Sequence, residues 1–301
     1  MTATRSGAAL GAGAYALWGL FPLYWPLLAP SGPLEVLAHR VLWSLVVVGV
    51  LLAATRRVDR VRAAVADRRR LLMLATAAVV VAVNWGTYIY GVSNDQVVET
   101  SLGYFVNPIV TVLLGVLVLG ERLRPAQWVA MSVAFVAVVV LSVEGGRPPW
   151  IALVLAFSFG TYGLLKKTAG VGAVEGLAIE TAVLFPVAAV FVAVLGVTGA
   201  GSFGSEGSGH ALLLALSGVV TAVPLLMFGA AASRIPLSTL GVLQYVAPTI
   251  QFLIGITVFA EPLPPVRLFG FVLVWVGLAM FTIDLVRSHR RQLRLAVTAP
   301  A

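Results

Sequence analysis

The 301-residue sequence contains no cysteine, which excludes disulfides and thiolate metal sites. Its three histidines, His39, His210 and His289, are scattered along the chain, and neither a metal nor a cofactor is expected. Charge is scarce as well. Asp, Glu, Lys and Arg make up 11% of the residues, against about 25% in a soluble domain. No H-E-x-x-H, Walker A or G-x-S-x-G pattern occurs, so neither metalloprotease, nucleotide-driven nor serine-hydrolase chemistry is indicated. The chain does not read as an enzyme. If it moves solutes, ion coupling, exchange or facilitated diffusion must supply the drive.

What is abundant is apolar surface, at 60% of the residues. Such a chain could not clothe itself in polar groups in water, and its apolar runs are long enough to cross a bilayer core of about 30 Å. The runs are continuous rather than alternating, which selects helices over a barrel. The fold class expected is an all-α, multi-pass membrane protein. Ten transmembrane helices are expected near 8–29, 34–55, 71–91, 97–119, 126–143, 150–166, 174–197, 210–232, 237–259 and 264–286. The first is too long, and too rich in Trp and Pro, for a cleaved signal peptide.

The scarce charges set the orientation. Arg5, the arginines from Arg56 to Arg70, Arg122, Arg124, Lys166, Lys167, Arg234 and the arginines from Arg287 to Arg294 fall on one side of these spans. Only Arg147 and Arg267 fall on the other, and Arg40 sits within span two. The positive-inside rule then puts both termini in the cytoplasm. The net charge of +8 reads as topology and contact with anionic lipid heads. Nucleic acid is not an expected partner, because the longest soluble segment is roughly the 55–70 loop. The glycine-rich stretch 196–209 reads as a flexible outer tether.

The chain repeats itself. ETSLGYFVNPIVTVLLGVLVLGERLRP at 99–125 returns as TLGVLQYVAPTIQFLIGITVFAEPLPP at 239–265, pairing Pro108 with Pro248, Gly115 with Gly255, Glu121 with Glu261 and Pro125 with Pro265. Each half would hold five spans, an odd number, so the second must be inverted relative to the first. That is a common build of secondary transporters, with the site near the midplane between the halves.

Candidate substrate-binding residues are the polar groups inside the spans. Arg40 lies about 10 Å below the outer edge; it is an anion or substrate anchor, or it snorkels to the head groups. His39 is a packed imidazole or a proton or substrate ligand. Glu180, about 9 Å inside the cytoplasmic edge, is a proton-binding carboxylate or a static partner of a polar group in the opposite half. Asn84 and Tyr88 share a helix face and suit either a mixed cavity or interhelical hydrogen bonding. Tyr104, Asn107, Gln244 and Tyr245 belong to the repeat, and Tyr104 and Gln244 are equivalent positions that could face each other. Pro108 and Pro248 are expected to kink their helices, whether for shape or as a pivot. Glu121 and Glu261 are expected to fix turns at span ends.

Several strings carry a resemblance: HR at 39–40, NW at 84–85, ETSLGYFVNP at 99–108, LGER at 119–122, AFSFGTYGLLKK at 156–167 and LSTLGVLQYVAPT at 237–249. Together they resemble the RarD subfamily, the chloramphenicol-sensitive protein group, of the EamA family in the drug/metabolite transporter superfamily. The resemblance implies EamA-type five-helix repeats at 5–143 and 150–287, with a cytoplasmic tail at 288–301. It also implies a place in the plasma (inner) membrane and movement of small metabolites or drugs, often outward. The expected function is therefore secondary transport by alternating access, coupled to protons or to exchange. A passive channel is the alternative. The expected partners are a small-molecule substrate and the lipid bilayer, with the chain as monomer or homodimer.

Overall fold

A computed structural model describes residues 2–94, 97–143 and 150–260, together with 265, 268, 269, 272, 273, 275–277, 279, 280, 283 and 284. The described residues are helical with short connections, and no strand occurs among them. The helices are α1 (Thr2–Gly19), α2 (Phe21–Tyr24), α3 (Pro33–Thr55), α4 (Val58–Ala66), α5 (Arg68–Ser93), α6 (Val97–Leu119), α7 (Pro125–Val143), α8 (Trp150–Thr168), α9 (Ala173–Thr198), α10 (Ser208–Ala232), α11 (Leu237–Leu243) and α12 (Val246–Thr257), with a 3-10 turn at Trp25–Leu28. Among the described residues, six stretches are long and apolar enough to cross a membrane: Pro33–Thr55, Arg68–Gly91, Leu102–Leu119, Ala173–Thr198, Ser208–Ala232 and Leu237–Thr257. The chain is an all-α membrane protein. The tenth expected span, 264–286, lies largely outside the described residues, and the 288–301 tail lies wholly outside them.

Apolar side chains point outward as readily as inward. Val197 is 90% exposed and Val187 76% exposed, as lipid solvation permits. Glu35, Glu175, Glu180 and Lys166 are buried instead. Without a hydrophobic drive between helices in lipid, close approach through small residues and buried hydrogen bonds must hold the bundle. Gly218 on α10 lies directly against the backbone of Trp43 on α3, and Ser44 there donates to the Gly218 carbonyl at 3.1 Å. Gly241 on α11 packs onto α6, where a Cβ would lie 3.0 Å from the Pro108 oxygen.

The main contacts are between elements distant in sequence. α3 packs on α9 and α10, α5 on α8 and α9, α6 on α8 and α11, and α1 on α10 and α12.

Three expectations need correction. The first span does not run to residue 29; it ends at Gly19, and the chain restarts twice, with Pro22 and Pro26 in the first turn of α2 and of the 3-10 helix. Proline is tolerated there because its missing N–H would be unpaired anyway. The 55–70 connection is not an open loop. It holds α4, whose Ala64 packs with Leu74, Ala169 and Ile179, and Asp67 then caps α5 by accepting from Arg69 and Arg70 N–H at 3.0 and 3.2 Å. The paired prolines also differ in effect. α6 runs unbroken through Pro108, whereas the partner segment breaks into α11 and α12 just ahead of Pro248.

Candidate functional site

Arg40 is the centre of the most unusual polar arrangement. It lies two turns into α3, and its guanidinium carbon sits 4.9 Å from the ring centroid of Trp25 and 4.9 Å from that of Trp85. The breaks at Pro22 and Pro26 bring Trp25 into place. Trp85 comes from α5. Arg40 Nε donates to Thr221 Oγ1 on α10 at 2.9 Å. Each cation–π contact contributes about 2 kcal/mol when desolvated, so the aromatic pair offsets part of the cost of holding a cation in the bilayer. One turn below Trp85, Tyr88 meets Tyr104 of α6 edge-on, with centroids 6.2 Å apart. Tyr24, Tyr88 and Tyr104 lie within electrostatic reach of Arg40. Arg40 is half-buried and Tyr104 is 36% exposed, so protein covers the group only in part. Among the described residues, every salt bridge lies elsewhere: no carboxylate stands within 4.0 Å of Arg40.

Glu180 belongs to a different cluster. Its carboxylate accepts from Lys166 Nζ at 2.7 Å and from the Tyr162 hydroxyl at 3.0 Å. Both partners stand on α8, so the static partner is in its own half of the chain rather than the opposite one. Lys166 is not a loop cation of the cytoplasmic side: it is a buried member of α8, 6% exposed. Arg40 and Glu180 share no partner. Nearby, Glu175 at the start of α9 faces Arg57 at 4.0 Å and Arg60 at 3.9 Å.

The connection between α9 and α10 is no idle tether. Ser202 N–H donates to Glu35 Oε1 at 2.7 Å, Ser202 meets the Ser31 hydroxyl, and Ser31 reaches His210 Nε2 at 2.8 Å. Phe203 stacks on His39, with centroids 4.7 Å apart and rings inclined by 20°. His39 is thus buried under this segment, its ring nitrogens without a hydrogen-bond partner among the described residues.

At the opposite end of the bundle, Glu121 accepts from the N–H groups of Leu237 and Ser238 at 2.6 and 2.8 Å. It thereby caps the start of α11. Gly120, at φ +66, turns the chain so that Glu121 N–H returns to the Gly115 carbonyl at 3.0 Å; glycine adopts this left-handed conformation without a Cβ clash. Lys167 Nζ donates to the Ile235 and Ala232 carbonyls at 2.5 and 3.3 Å. The turn expected at Glu121 is present, and the carboxylate also reaches a helix 116 residues further along.

Of the other expected site residues, Asn84 donates to the Leu155 carbonyl and to Ser158 on α8, both at 2.9 Å. Gln244 bonds Thr111 of α6 at 3.2 Å, and the Tyr245 hydroxyl donates to the Phe105 carbonyl at 3.3 Å. Tyr104 and Gln244 therefore have separate partners. Asn107 Oδ1 is buried without a hydrogen-bond partner. Arg40, Tyr88 and Tyr104 come together. His39, Asn84, Glu180, Gln244 and Tyr245 are engaged elsewhere. Trp25 and Thr221 were missed as Arg40 partners. The two prolines flanking Trp25 were the available signal that it leaves the first helix; nothing in the local sequence marks Thr221.

A model of the EamA-like transporter family matches residues 5–143. The chain is 57% identical over 297 residues to "Protein RarD" of Streptomyces exfoliatus, covering 98% of this chain and 94% of that one. It is 42% identical over 289 residues to an "uncharacterized transporter" of Pseudomonas aeruginosa, covering 95% and 96%. A protein solved by crystallography shares the fold, with a TM-score of 0.71 at 19% identity, covering 94% of this chain and 98% of its own.

Proposed function

We propose, for a chain that belongs to the RarD subfamily of EamA-like transporters in the drug/metabolite transporter superfamily, a secondary transporter that works by alternating access. It is a membrane transporter of small molecules by family. Arg40 carries the mechanistic reading. It is a cation within the bundle, braced by two tryptophans, at a seam where α3, α5 and the 3-10 turn of the first half meet α10 of the second.

The packing pattern supports an inverted repeat. Matching span to span, α3 pairs with α9 and α6 with α11, each with its own equivalent. The contacts α1–α10, α3–α10 and α6–α8 have as counterparts α8–α5, α9–α5 and α12–α1, and all of them occur. A near-twofold relation between halves of five spans lets one closed arrangement convert into its twofold-related counterpart open to the other side of the membrane. The latch of Glu121 on α11 and the seat of Phe203 on His39 stand at opposite ends of the bundle, where two gates would be needed. Arg40, Trp25, Trp85, Tyr88, Tyr104 and Thr221 form the substrate surface in this mechanism. Asn84, Gln244 and Tyr245 hold helices together, and Glu180 braces α9 to α8.

The orientation follows from the arginines: both termini in the cytoplasm of a plasma-membrane protein. The absence of cysteine makes single-cysteine labelling a clean test. Val65 and Ser205 lie in equivalent connections, are both exposed, and fall on opposite sides if the halves are inverted. An impermeant thiol reagent on intact cells should label Ser205→Cys and spare Val65→Cys; labelling of both or neither would end the inverted reading. In proteoliposomes, uptake against a gradient separates a coupled transporter from a passive channel.

A further inference from the structure

Resting on that reading, we infer that the substrate is a small organic monocarboxylate with an apolar or aromatic body, its carboxylate held by the terminal N–H edge of Arg40.

Three features of Arg40 converge on this class. The first is charge. Among the described residues no carboxylate faces the guanidinium within 4.0 Å, whereas the buried Lys166 is matched by Glu180 at 2.7 Å. A lone charge in a membrane interior is costly and is relieved by pairing. A monoanion neutralises the guanidinium. A dianionic phosphate monoester would leave one net negative charge, and a zwitterion or an amine would leave net positive charge.

The second is geometry. Trp25 and Trp85 each lie 4.9 Å from the guanidinium carbon, and Thr221 takes Nε. Neither terminal nitrogen has a hydrogen-bond partner within the protein among the described residues, and neither is sealed off as a buried orphan. The group left open is the two-pronged Nη edge, whose fork matches the two oxygens of a planar carboxylate.

The third is the surround. Trp25, Trp85, Tyr88 and Tyr104 offer ring faces and edges for an apolar body, and the phenol hydroxyls near Arg40 can donate to an anion. Among the described residues, no carboxylate side chain within 4.0 Å of Arg40 supplies the counter-charge that a substrate amine would need.

The test is binding to the purified full-length chain in nanodiscs, read as a rise in melting temperature and by titration. The probes are benzoate, hexanoate, phenylacetate and indole-3-acetate, each beside its amide, its amine analogue and an aryl phosphate monoester. At about 10 mM, above the weak end of useful affinities, at least one carboxylate should stabilise the protein while its amide and amine do not. Arg40→Gln should weaken that binding by about thirtyfold or more, as loss of one partner of a desolvated pair does. Arg40→Lys keeps the charge, and so guards against a folding defect; it should still lose about tenfold, because an ammonium cannot offer the fork. Equal binding of an amide or amine, a carboxylate response indifferent to both Arg40 variants, or no response to any carboxylate would overturn the assignment. Accumulation of an amine or neutral solute in proteoliposomes would refute the carboxylate class while leaving transport intact. Carboxylate binding without flux would do the reverse.

Discussion

Breaking the Lys166–Glu180 pair tests whether it is a brace or part of the transport chemistry. The two side chains are 4% and 3% exposed and 2.7 Å apart. At an effective dielectric of about 20 their attraction is about 6 kcal/mol. Removing each charge from water costs several kcal/mol, so the intact pair is close to break-even. A single substitution is different, because it strands one charge. Lys166→Met leaves the carboxylate with the Tyr162 hydroxyl alone at 3.0 Å. Glu180→Gln leaves the ammonium with an amide oxygen and the face of Tyr162, 5.9 Å from its ring centroid. Losing one partner of a buried pair costs about 3–5 kcal/mol, whereas replacing both by apolar groups of similar volume is neutral or stabilising. For a chain of this size each kcal/mol lowers the melting temperature by roughly 2 °C. Lys166→Met should therefore melt about 6–10 °C lower, Glu180→Gln somewhat less, and Lys166→Met with Glu180→Leu within about 2 °C of the parent. The measurement is thermal unfolding in nanodiscs, with flux recorded on the same samples. Singles that add up in the double variant would refute the brace. So would a stable double variant whose flux is lost or no longer responds to pH, since that would return Glu180 to proton coupling.

Two further outcomes follow from the packing. Glu121→Ala removes two charge-assisted bonds from the start of α11, each worth about 1.5–3 kcal/mol, and should destabilise by about 3 kcal/mol or more; Glu121→Gln, which keeps one acceptor oxygen, should lose less in the same melt. Gly218→Ala drives a Cβ into the backbone of Trp43 and should cost about 1–3 kcal/mol or more by overpacking, whereas Gly49→Ala, with nothing within 4 Å of its Cβ, should melt like the parent.

The architecture was legible where lipid is the solvent and each segment must satisfy its own backbone. A run of apolar residues then declares a helix without knowledge of its neighbours. The repeat extended further than its matched letters: α6 and α11 begin at Val97 and Leu237, and Gly120 and Ala260, 140 positions apart, both take positive φ, at +66 and +51. The partners of polar side chains were not legible, because a hydrogen bond across the bundle leaves no local trace. The glycine-rich segment 196–209 shows the difficulty. Its composition measures only the entropy that ordering must overcome, and says nothing of a carboxylate, Glu35, 167 residues away that receives the Ser202 N–H.

Arg40 and Glu180 looked alike as isolated charges in apolar helices, and the general expectation that such charges are functional weighed on both. What separates them is neutrality. Glu180 has its counter-charge on the adjacent helix α8, with a phenol hydroxyl as a second donor, so nothing further need bind there. Arg40 has aromatic faces and one hydroxyl but no anion among the described residues, an arrangement that tolerates a cation without discharging it. A transporter needs a site that is stable when empty and more stable when filled, yet not so stable that cargo cannot leave. In the proposed site, two tryptophans meet that requirement better than a carboxylate would, since a resident carboxylate would compete with a bound anion for the same guanidinium edge.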